Sequence, residues 1–355
     1  MQDGEKVSVT IIVACRNEIR HVRNFLNSVT QQNTTDIDLE ILIADGMSAD
    51  GTREILEEYQ GKCAILRVIE NPKKIVSTGL NLAIREARGE IIVRMDAHME
   101  YAPNYVRTCV QVIKETNAEN VGGPALTRAE GYMAKAIACG FHSKFASGGA
   151  RFHDPSYEGY VDTVTYGCWK KATLLRLGLF DEQIYRSQDN ELNMRIVSSG
   201  GRIWQSPRII SWYRPRTTLS ALFRQHFQYG FWKVALVRKH RRLPSWRNLV
   251  PCASLLIGFL LLLVALATGM NGSVRVANEF LVGFLAMAGM YIVISLGFAS
   301  VSAARNGWRF FPILPIVFGT YHLAYALGFL LAIAYQPVTW DRTSYMQKIL
   351  TAVTR

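Results

Sequence analysis

The sequence predicts an α/β domain with a mostly parallel sheet, followed by membrane-spanning helices. Over the first hundred residues, short apolar runs rich in β-branched side chains alternate with helical patterns, at a spacing typical of βαβ units. Three long apolar segments without Asp, Glu, Lys or Arg come later, and each reaches the roughly 20 residues that a helix needs to cross a bilayer. Hydrophobic residues make up 49% of the 355 positions, which is enough for both a core and a membrane region.

The alternation begins with an apolar strand at residues 7–14, after which Asn17 is a candidate N-cap for a helix running to about Gln31. Further strands are predicted at 39–44, 64–69 and 90–95, and further helices at 53–59 and 80–87. Ligands of parallel sheets bind beyond the carboxyl ends of the strands. The polar residues that follow these strands are therefore the first candidates for a functional site.

The net charge of +12 is concentrated in one block. Residues 192–248 contain twelve Lys or Arg and no Asp or Glu. Such a block could face nucleic acid, phosphate-bearing substrates or an anionic membrane. Apolar segments follow it directly, at residues 249–269, 280–304 and 310–340. We therefore assign the block to a membrane surface and expect no nucleic-acid partner.

The positions of Lys and Arg beside the apolar segments also predict the orientation of the chain in the membrane. The cluster at 238–247 precedes the first apolar segment, and Arg305 and Arg309 lie between the second and the third. By the positive-inside rule, these ends and the preceding domain lie in the cytoplasm. We expect a multi-pass protein of the bacterial inner membrane with a cytoplasmic catalytic domain. Pro312, Pro315 and His322 lie inside the third segment, so the side on which the C-terminus lies stays open.

The expected order is a catalytic domain (1–214), an interfacial amphipathic and basic region (215–248), a transmembrane region of about three helices (249–340) and a tail (341–355). Apolar residues at helical spacing beside Arg and Lys over 219–234 indicate a helix lying in the bilayer surface, and a helix packed in a core is the alternative. The six cysteines have no metal-like spacing, which indicates free thiols in a reducing compartment.

Four motifs occur in a fixed order: TIIVACRNE at 10–18, ADGMSADGT at 44–52, RMDAH at 94–98 and SQDNEL at 187–192. Together they resemble the family 2 glycosyltransferases, which implies a GT-A nucleotide-sugar-binding fold. The resemblance covers roughly residues 7–235. With the RQHFQYG stretch at 224–230, the set looks most like bacterial exopolysaccharide transferases of the succinoglycan-biosynthesis type.

Asp96 and His98 follow the apolar strand at 90–95, so their side chains project near each other and could bind one cation. The metal motif of the family, Asp-X-Asp, falls at this position, although His98 stands where relatives more often have Asp. The resemblance implies a divalent cation, Mn²⁺ or Mg²⁺, held by Asp96 and His98. Imidazole suits Mn²⁺ somewhat better than Mg²⁺. A structural strand-end histidine is the alternative for His98.

Asp189 precedes an apolar-periodic helix at 192–197, and its motif resembles the catalytic-base motif of the family. Inverting transfer requires a carboxylate to accept the proton of the attacking hydroxyl. We therefore predict that Asp189 is the catalytic base, with Glu191 as a weaker substitute. An N-cap aspartate is the alternative, and the two roles are geometrically compatible.

A further set of residues is expected to contact the donor nucleotide sugar. A carboxylate in the Gly-rich turn after the second strand can accept hydrogen bonds from a base or ribose. The resemblance places the other members of the set against the nucleotide or the pyrophosphate. The predicted donor contacts are Asn17, Glu18, Asp45, Asn81, Asp96, Arg224 and His226.

The resemblance implies an inverting, metal-dependent hexosyltransferase of exopolysaccharide biosynthesis. We expect it to move glucose from UDP-glucose to a lipid-linked oligosaccharide at the membrane. The first alternative is a polyprenyl-phosphate sugar synthase, whose phosphate nucleophile is already ionised and depends less on a base. The second is a catalytically inactive membrane scaffold, against which stands the joint presence of Asp45, Asp96 and Asp189.

Overall fold

A computed structural model describes residues 6–242 and 246–335. The tail predicted at 341–355 and the end of the third apolar segment lie outside the described residues. The described chain forms two compact units. The first comprises the chain up to Arg128 together with Arg151–Arg214, and the second comprises Ala129–Ala150 together with the chain from Pro215 onward. The segment Ala129–Ala150, which the sequence groups with the catalytic domain, therefore packs with the later helices.

A mixed sheet of eight strands forms the centre of the first unit. Its strands are β1 (Val7–Cys15), β2 (Ile37–Asp45), β3 (Leu66–Glu70), β4 (Ile91–Asp96), β6 (Asn120–Gly122), β8 (Gly159–Val161), β9 (Cys168–Lys170) and β10 (Ile203–Gln205). Their order is β3-β2-β1-β4-β9-β6-β10-β8. Strand β1 pairs in parallel with β2 and β4, β2 with β3, and β6 with β10, whereas β8 and β9 run antiparallel to their neighbours. The mostly parallel sheet predicted from the sequence is confirmed.

A smaller sheet of order β5-β11-β7 contains β5 (Glu100–Tyr101), β7 (Leu126–Thr127) and β11 (Ser211–Tyr213). The helices of the first unit are α1 (Val22–Thr30), α2 (Thr52–Lys62), α3 (Val76–Glu86), α4 (Tyr105–Thr116), α7 (Lys171–Arg176) and α8 (Gln188–Ser198). Apolar residues of α1, α2 and α4 form one core with the large sheet, and those of α3, α7 and α8 form a second core. The sheet is buried on both faces, which explains its near-continuous apolar strands.

The first helix begins later than the sequence predicts. Asn17 has a φ of 54°, in the left-handed region, so it cannot cap a helix there. Its side-chain oxygen accepts a hydrogen bond from the backbone of Ala49 at 3.0 Å, in the loop after β2. Helix α1 starts at Val22 instead. The long-range contact between the two loops therefore overrides the local capping signal.

The second unit is helical among its described residues. It contains α5 (Tyr132–His142), α6 (Lys144–Ser147), α9 (Leu219–His240), α10 (Val250–Met270), α11 (Val274–Asn306) and α12 (Leu314–Tyr335). Three stretches are long and apolar enough to cross a membrane, namely Trp246–Met270, Val274–Asn306 and Leu314–Ala334. The C-terminal apolar helices predicted from the sequence are therefore present.

Candidate active site

The loops that follow β1, β2 and β4 enclose a cavity of about 220 Å³ at the carboxyl ends of these strands. Small residues at the strand ends, Ala14 and Ala44, leave room for a ligand beside the sheet. The charged side chains that line the cavity are Arg16, Glu18, Lys74, Arg94, Asp96, His98 and Arg186. The strand order brings these loops together, as the sheet prediction requires.

Asp96 ends β4, and its carboxylate is paired with His98. The distance from Asp96 Oδ1 to His98 Nδ1 is 2.9 Å, and Glu18 Oε1 lies 3.6 Å from the same nitrogen. The Asp96 carboxylate, opposed by burial, raises the pKa of His98 to about 10. Burial alone would raise the pKa of Asp96, but the His98 ring and Arg94 hold it below its ordinary value. Both shifts favour an ion pair between Asp96 and His98.

Arg94 lies two residues before Asp96 on β4, so both side chains project from the same face of the strand. Its guanidinium donates a hydrogen bond to the carboxylate of Asp189. The Arg94 side chain is 7% exposed and that of Asp189 is 23% exposed. The rings of Tyr166 and Phe180 lie 5.6 and 5.7 Å from the guanidinium carbon. Arg94 thus holds Asp189 beside the cavity.

Asp189 lies in the first turn of α8, immediately after Gln188. Ser187 occupies the N-cap position with a φ of 62°, so Asp189 is not the cap that the sequence left as an alternative. Burial raises the pKa of Asp189, and Asp96 adds to this, while Arg94 opposes it. A raised pKa suits a general base that must accept a proton near neutral pH.

Glu191, the weaker candidate for the base, has a different environment. It is completely buried, and both of its carboxylate oxygens accept hydrogen bonds from Arg195 Nε at 3.0 Å. Arg195 also donates to the carbonyl oxygens of Leu177 and Leu179. Glu191 therefore orients Arg195, which anchors α8 to the preceding segment, and it is not among the residues that line the cavity at the strand ends.

The loops after β1 and β2 are joined through Ser48. Asp45 is 1% exposed, and its carboxylate accepts hydrogen bonds from the Ser48 hydroxyl at 2.6 Å and from the Ser48 backbone N–H. The backbone N–H of Asn17 donates to the same hydroxyl at 2.9 Å, and that of Glu18 donates to Thr52 Oγ1 at 2.8 Å. In this structure Asp45 and Asn17 stabilise the loops, and the donor contacts predicted for them stay predictions.

Asn81 on α3 is 2% exposed and fully engaged with a neighbouring segment. Its side-chain amide donates to the Phe180 carbonyl and to Glu182, and its oxygen accepts from the Phe180 backbone N–H. These bonds tie α3 to the loop after α7. The donor contact predicted for Asn81 also stays a prediction.

Arg224 and His226 belong to the second unit, on α9. Arg224 is exposed, and the His226 ring lies 4.2 Å from the ring of Tyr321 on α12. The other predicted site residues all belong to the first unit. The sequence motif at 224–230 therefore falls in a different structural unit from the rest of the predicted site.

The described residues contain no group of three His, Cys, Asp or Glu side chains placed to hold a metal ion. Asp96 nevertheless fits a cation that the diphosphate of a donor would help to coordinate, because its carboxylate lines the cavity and is 21% exposed. His98 fits less directly. Its Nδ1 contacts Asp96 and its raised pKa keeps the ring protonated, so it must lose a proton before it can be a ligand.

Three cations of the cavity were not predicted from the sequence as site residues, namely Lys74, Arg94 and Arg186, and Arg16 was a candidate because it follows the first strand. Arg94 could have been recognised from the sequence, because it is the only charged residue in the otherwise apolar stretch 91–95. Lys74 and Ser187 have φ values of 61° and 62°, a conformation that costs roughly 1–3 kcal/mol in a non-glycine residue and clusters at functional sites. Loop conformation of this kind has no local sequence signature.

The fold is similar to that of a solved mannosyltransferase, PcManGT from Pyrobaculum calidifontis, in complex with GDP-Man and Mn²⁺. The TM-score is 0.59 at 18% sequence identity, and the match covers 95% of this chain and 88% of that chain. The first unit thus has the GT-A fold of glycosyltransferases. Residues 10–134 match the family model described as Glycosyl transferase family 2. This segment is therefore similar to the family 2 glycosyltransferases, as the motifs predicted.

Two curated relatives extend the similarity beyond that domain. The chain is 27% identical over 326 residues to the succinoglycan biosynthesis protein ExoA of Rhizobium meliloti (strain 1021), covering 91% of this chain and 94% of the relative. It is also 27% identical over 239 residues to a dolichyl N-acetyl-alpha-D-glucosaminyl phosphate 3-beta-D-2,3-diacetamido-2,3-dideoxy-beta-D-glucuronosyltransferase of Methanococcus voltae, covering 65% of this chain and 74% of the relative. The resemblance to the succinoglycan-biosynthesis type is confirmed.

Proposed function

We propose that the protein is an inverting hexosyltransferase that moves glucose from UDP-glucose to a hydroxyl of a lipid-linked oligosaccharide during exopolysaccharide biosynthesis. The observation that carries this proposal is the buried contact between Arg94 and Asp189 beside the cavity that Asp96 lines. A carboxylate with a raised pKa thus lies beside a cavity that is lined by charged side chains. The name of the R. meliloti relative supports the biosynthetic role, and that of the M. voltae relative supports a lipid-linked acceptor.

The proposed donor site has two parts, one for the nucleoside and one for the diphosphate. The nucleoside lies against the small strand-end residues Ala14 and Ala44, where the loops leave space beside the sheet. The diphosphate faces Arg16, Lys74 and Arg186, whose positive charges offset its negative charge. We also propose the remaining donor contacts predicted from the sequence, namely Asn17, Glu18, Asp45, Asn81, Arg224 and His226.

Asp96, with His98 after loss of its proton, would hold a divalent cation. When bound, such a cation neutralises the charge that accumulates on the departing nucleoside diphosphate. Independently of the cation, Asp96 and the protonated His98 form an ion pair. Each of these two groups can change its partner when a diphosphate enters. Mn²⁺ is the preferred ion in this proposal, because an imidazole would join a carboxylate in the ligand set.

Asp189 accepts the proton in the transfer step. The acceptor hydroxyl oxygen forms a bond to the anomeric carbon while the bond from that carbon to the diphosphate oxygen breaks, and the hydroxyl proton passes to the Asp189 carboxylate. Arg94 fixes the orientation of that carboxylate through its hydrogen bond. Attack opposite to the leaving group inverts the anomeric configuration. General-base assistance of this type contributes about 10²- to 10⁴-fold to the rate.

The membrane helices account for the acceptor class. A lipid-linked saccharide stays at the bilayer surface, and a chain with apolar helices of spanning length is confined to that surface as well. We propose that the catalytic unit lies on the cytoplasmic side of a bacterial inner membrane, since the cations at 238–247 precede the first apolar helix.

The proposal is tested by incubating the purified full-length protein with a panel of radiolabelled nucleotide sugars and a lipid extract of its host. We expect label from UDP-glucose to enter a lipid-linked saccharide, and we expect EDTA to abolish the transfer and Mn²⁺ to restore it. The Asp189→Asn variant is the matched control for contaminating transferases. Transfer that persists in EDTA would contradict the role of the cation, and a polyprenyl monophosphate sugar as product would contradict the hydroxyl acceptor.

A further inference from the structure

Two helices of the second unit, α9 and α12, run side by side in the same direction. Near one end, the ring of His226 lies 4.2 Å from that of Tyr321. Near the other end, Arg238 Nη2 donates a hydrogen bond to the Ile333 carbonyl oxygen at 3.2 Å. On each helix these contacts are 12 residues apart (226 to 238 and 321 to 333). The helices therefore stay adjacent over about 18 Å.

Glycines bring the two backbones into contact between these points. A Cβ atom on Gly230 would lie 2.1 Å from the Tyr325 carbonyl oxygen, and one on Gly328 would lie 2.0 Å from the Phe227 carbonyl oxygen. Only glycine permits so close an approach, as at tightly packed helix pairs in membranes. The pair is therefore one rigid element, and both helices must have the same orientation relative to a bilayer.

The charges of α9 oppose a transmembrane orientation of this pair. If α12 crossed the bilayer, α9 would carry Lys233 toward the hydrocarbon centre and Arg238 and Lys239 toward the opposite surface. A Lys or Arg at the centre of a spanning helix costs roughly 2.5–3.5 kcal/mol on insertion scales. Cations translocated to the far surface would also violate the positive-inside rule. An orientation in the plane of the surface avoids both penalties.

Helix α12 is more buried than α10 and α11, and its exposed apolar side chains are arranged differently. Only 17% of the most apolar window of α10 is buried, and only 6% of that of α11, against 44% for α12. Four of the large exposed apolar residues of α12 form one stripe with spacings of seven, four and four, namely Ile316, Leu323, Leu327 and Leu331, and Ile333 near the end of the helix lies off this stripe. A single stripe is typical of a helix lying on a membrane surface, whereas exposure on all sides is typical of a helix surrounded by lipid.

We propose that α10 and α11 cross the bilayer as a hairpin and that α9 and α12 lie together in the plane of one bilayer surface. The partner of this surface is an anionic lipid layer. The α12 stripe faces the hydrocarbon boundary, and the cations of α9 reach the head-group phosphates. The C-terminal end of α12 then stays on the side from which α10 enters. This inference does not rest on the proposed reaction and gives the third apolar segment a different role from the one predicted from sequence.

A topology experiment on the full chain tests the proposal. In a bacterial host, alkaline phosphatase is fused after Arg355 or inserted at Gly272 in the turn between α10 and α11, and fluorescent-protein fusions at the same sites serve as the opposite reporter. We expect phosphatase activity at Gly272 and fluorescence after Arg355. Phosphatase activity after Arg355 would overturn the in-plane position of α12. Fluorescence at Gly272 would overturn the hairpin.

A depth measurement provides a second test that involves no fusion. Nitroxide labels are placed by cysteine substitution at Ile316, Leu323, Leu327 and Leu331, in a Cys63→Ser background because Cys63 is the native thiol that is not buried. In lipid nanodiscs, an in-plane helix gives nearly the same oxygen and nickel-chelate accessibility at all four sites. A spanning helix would change depth by about 22 Å between the first and the last, and a profile of that shape would overturn the proposal.

The matched control for this measurement is α10, labelled at Leu256, Leu260, Leu263 and Leu266. All four side chains are exposed in the structure. Because α10 is proposed to span the bilayer, its labels must show a depth gradient in the same nanodiscs. A flat profile along α10 as well would overturn the distinction between the two helices. Circular dichroism of each labelled variant identifies substitutions that unfold the protein.

Discussion

The two sides of the donor cavity satisfy their polar groups differently. On the side of the loops after β1 and β2, Asp45, Ser48 and Asn17 form hydrogen bonds with one another and with backbone N–H groups. On the side of β4, the charged groups are paired with one another, Asp96 with His98 and Asp189 with Arg94. The first arrangement fixes the two loops relative to each other, whereas the charged groups of the second can exchange partners.

This difference separates residues that build the site from residues that act in it. A buried carboxylate bonded to its own loop contributes to stability, because removing its partner leaves a polar group unsatisfied. A charged pair with partial exposure beside a cavity can instead rearrange around a charged substrate. We therefore expect substitutions on the β4 side to change turnover and substitutions on the loop side to change stability.

The largest effect is expected for Asp189→Asn. This change keeps the size of the side chain but removes its ability to accept the acceptor proton, so kcat should fall by about 10²- to 10⁴-fold. Donor affinity should change little, which steady-state kinetics and donor-binding titration measure separately. Near-normal transfer to a sugar hydroxyl would contradict the base assignment and favour an acceptor that is already ionised.

A smaller loss is expected for Arg94→Met, which removes the charge that fixes Asp189. Contacting residues couple by about 0.5–3 kcal/mol, so we expect kcat to fall by up to about 100-fold. Arg94→Lys should recover part of this loss, because it restores the charge without the planar guanidinium.

A double-mutant cycle shows whether Arg94 acts through Asp189. If it does, Arg94→Met added to Asp189→Asn should reduce kcat little beyond the single Asp189→Asn variant. Losses that multiply would show that Arg94 contributes independently of Asp189, for example by contacting the diphosphate. The thermal midpoint of each variant distinguishes these outcomes from simple unfolding.

Asp96→Asn should affect donor binding as well as turnover. The neutral amide loses the pair with His98 and cannot hold a divalent cation as a carboxylate does. Since hydrogen bonds to charged groups contribute about 1.5–3 kcal/mol, we expect donor affinity to fall by at least about tenfold. Titration with a non-hydrolysable donor, with and without Mn²⁺, measures this. Unchanged affinity would place Asp96 outside the donor site.

The smallest effect on activity is expected for Ser48→Ala on the loop side. It removes the hydroxyl that bonds Asp45 and the Asn17 backbone, at a cost of about 1–3 kcal/mol in stability. For a domain of this size, each kcal/mol lowers the thermal midpoint by about 2–4 °C. Ser28→Ala, whose hydroxyl bonds only the Phe25 carbonyl of its own helix, is the control. A large loss of kcat in Ser48→Ala would remove the distinction between the two sides.

The local sequence pattern was sufficient to predict the strands β1 to β4 and the edge of the sheet at which the candidate site lies. Apolar runs with a fixed period predict β1 to β4, and the polar residues that end them must meet because the strands are parallel. Asp96 is predicted from a motif at such an end, and Asp189 is predicted from a motif that precedes a helix. The later start of α1 was not predictable, because Asn17 bonds a loop more than thirty residues away in sequence.

Short-range periodicity and ordered motifs were sufficient to predict the α/β class, the resemblance to family 2 glycosyltransferases, the apolar helices and the acidic residues that follow the strands. The pairing of Arg94 with Asp189, 95 residues away, became visible in the folded chain. The same holds for the packing of Ala129–Ala150 with the later helices and for the contact of α9 with α12 through Gly230 and Gly328. Partners distant in sequence are selected by packing and by the burial of charge, which no local pattern encodes.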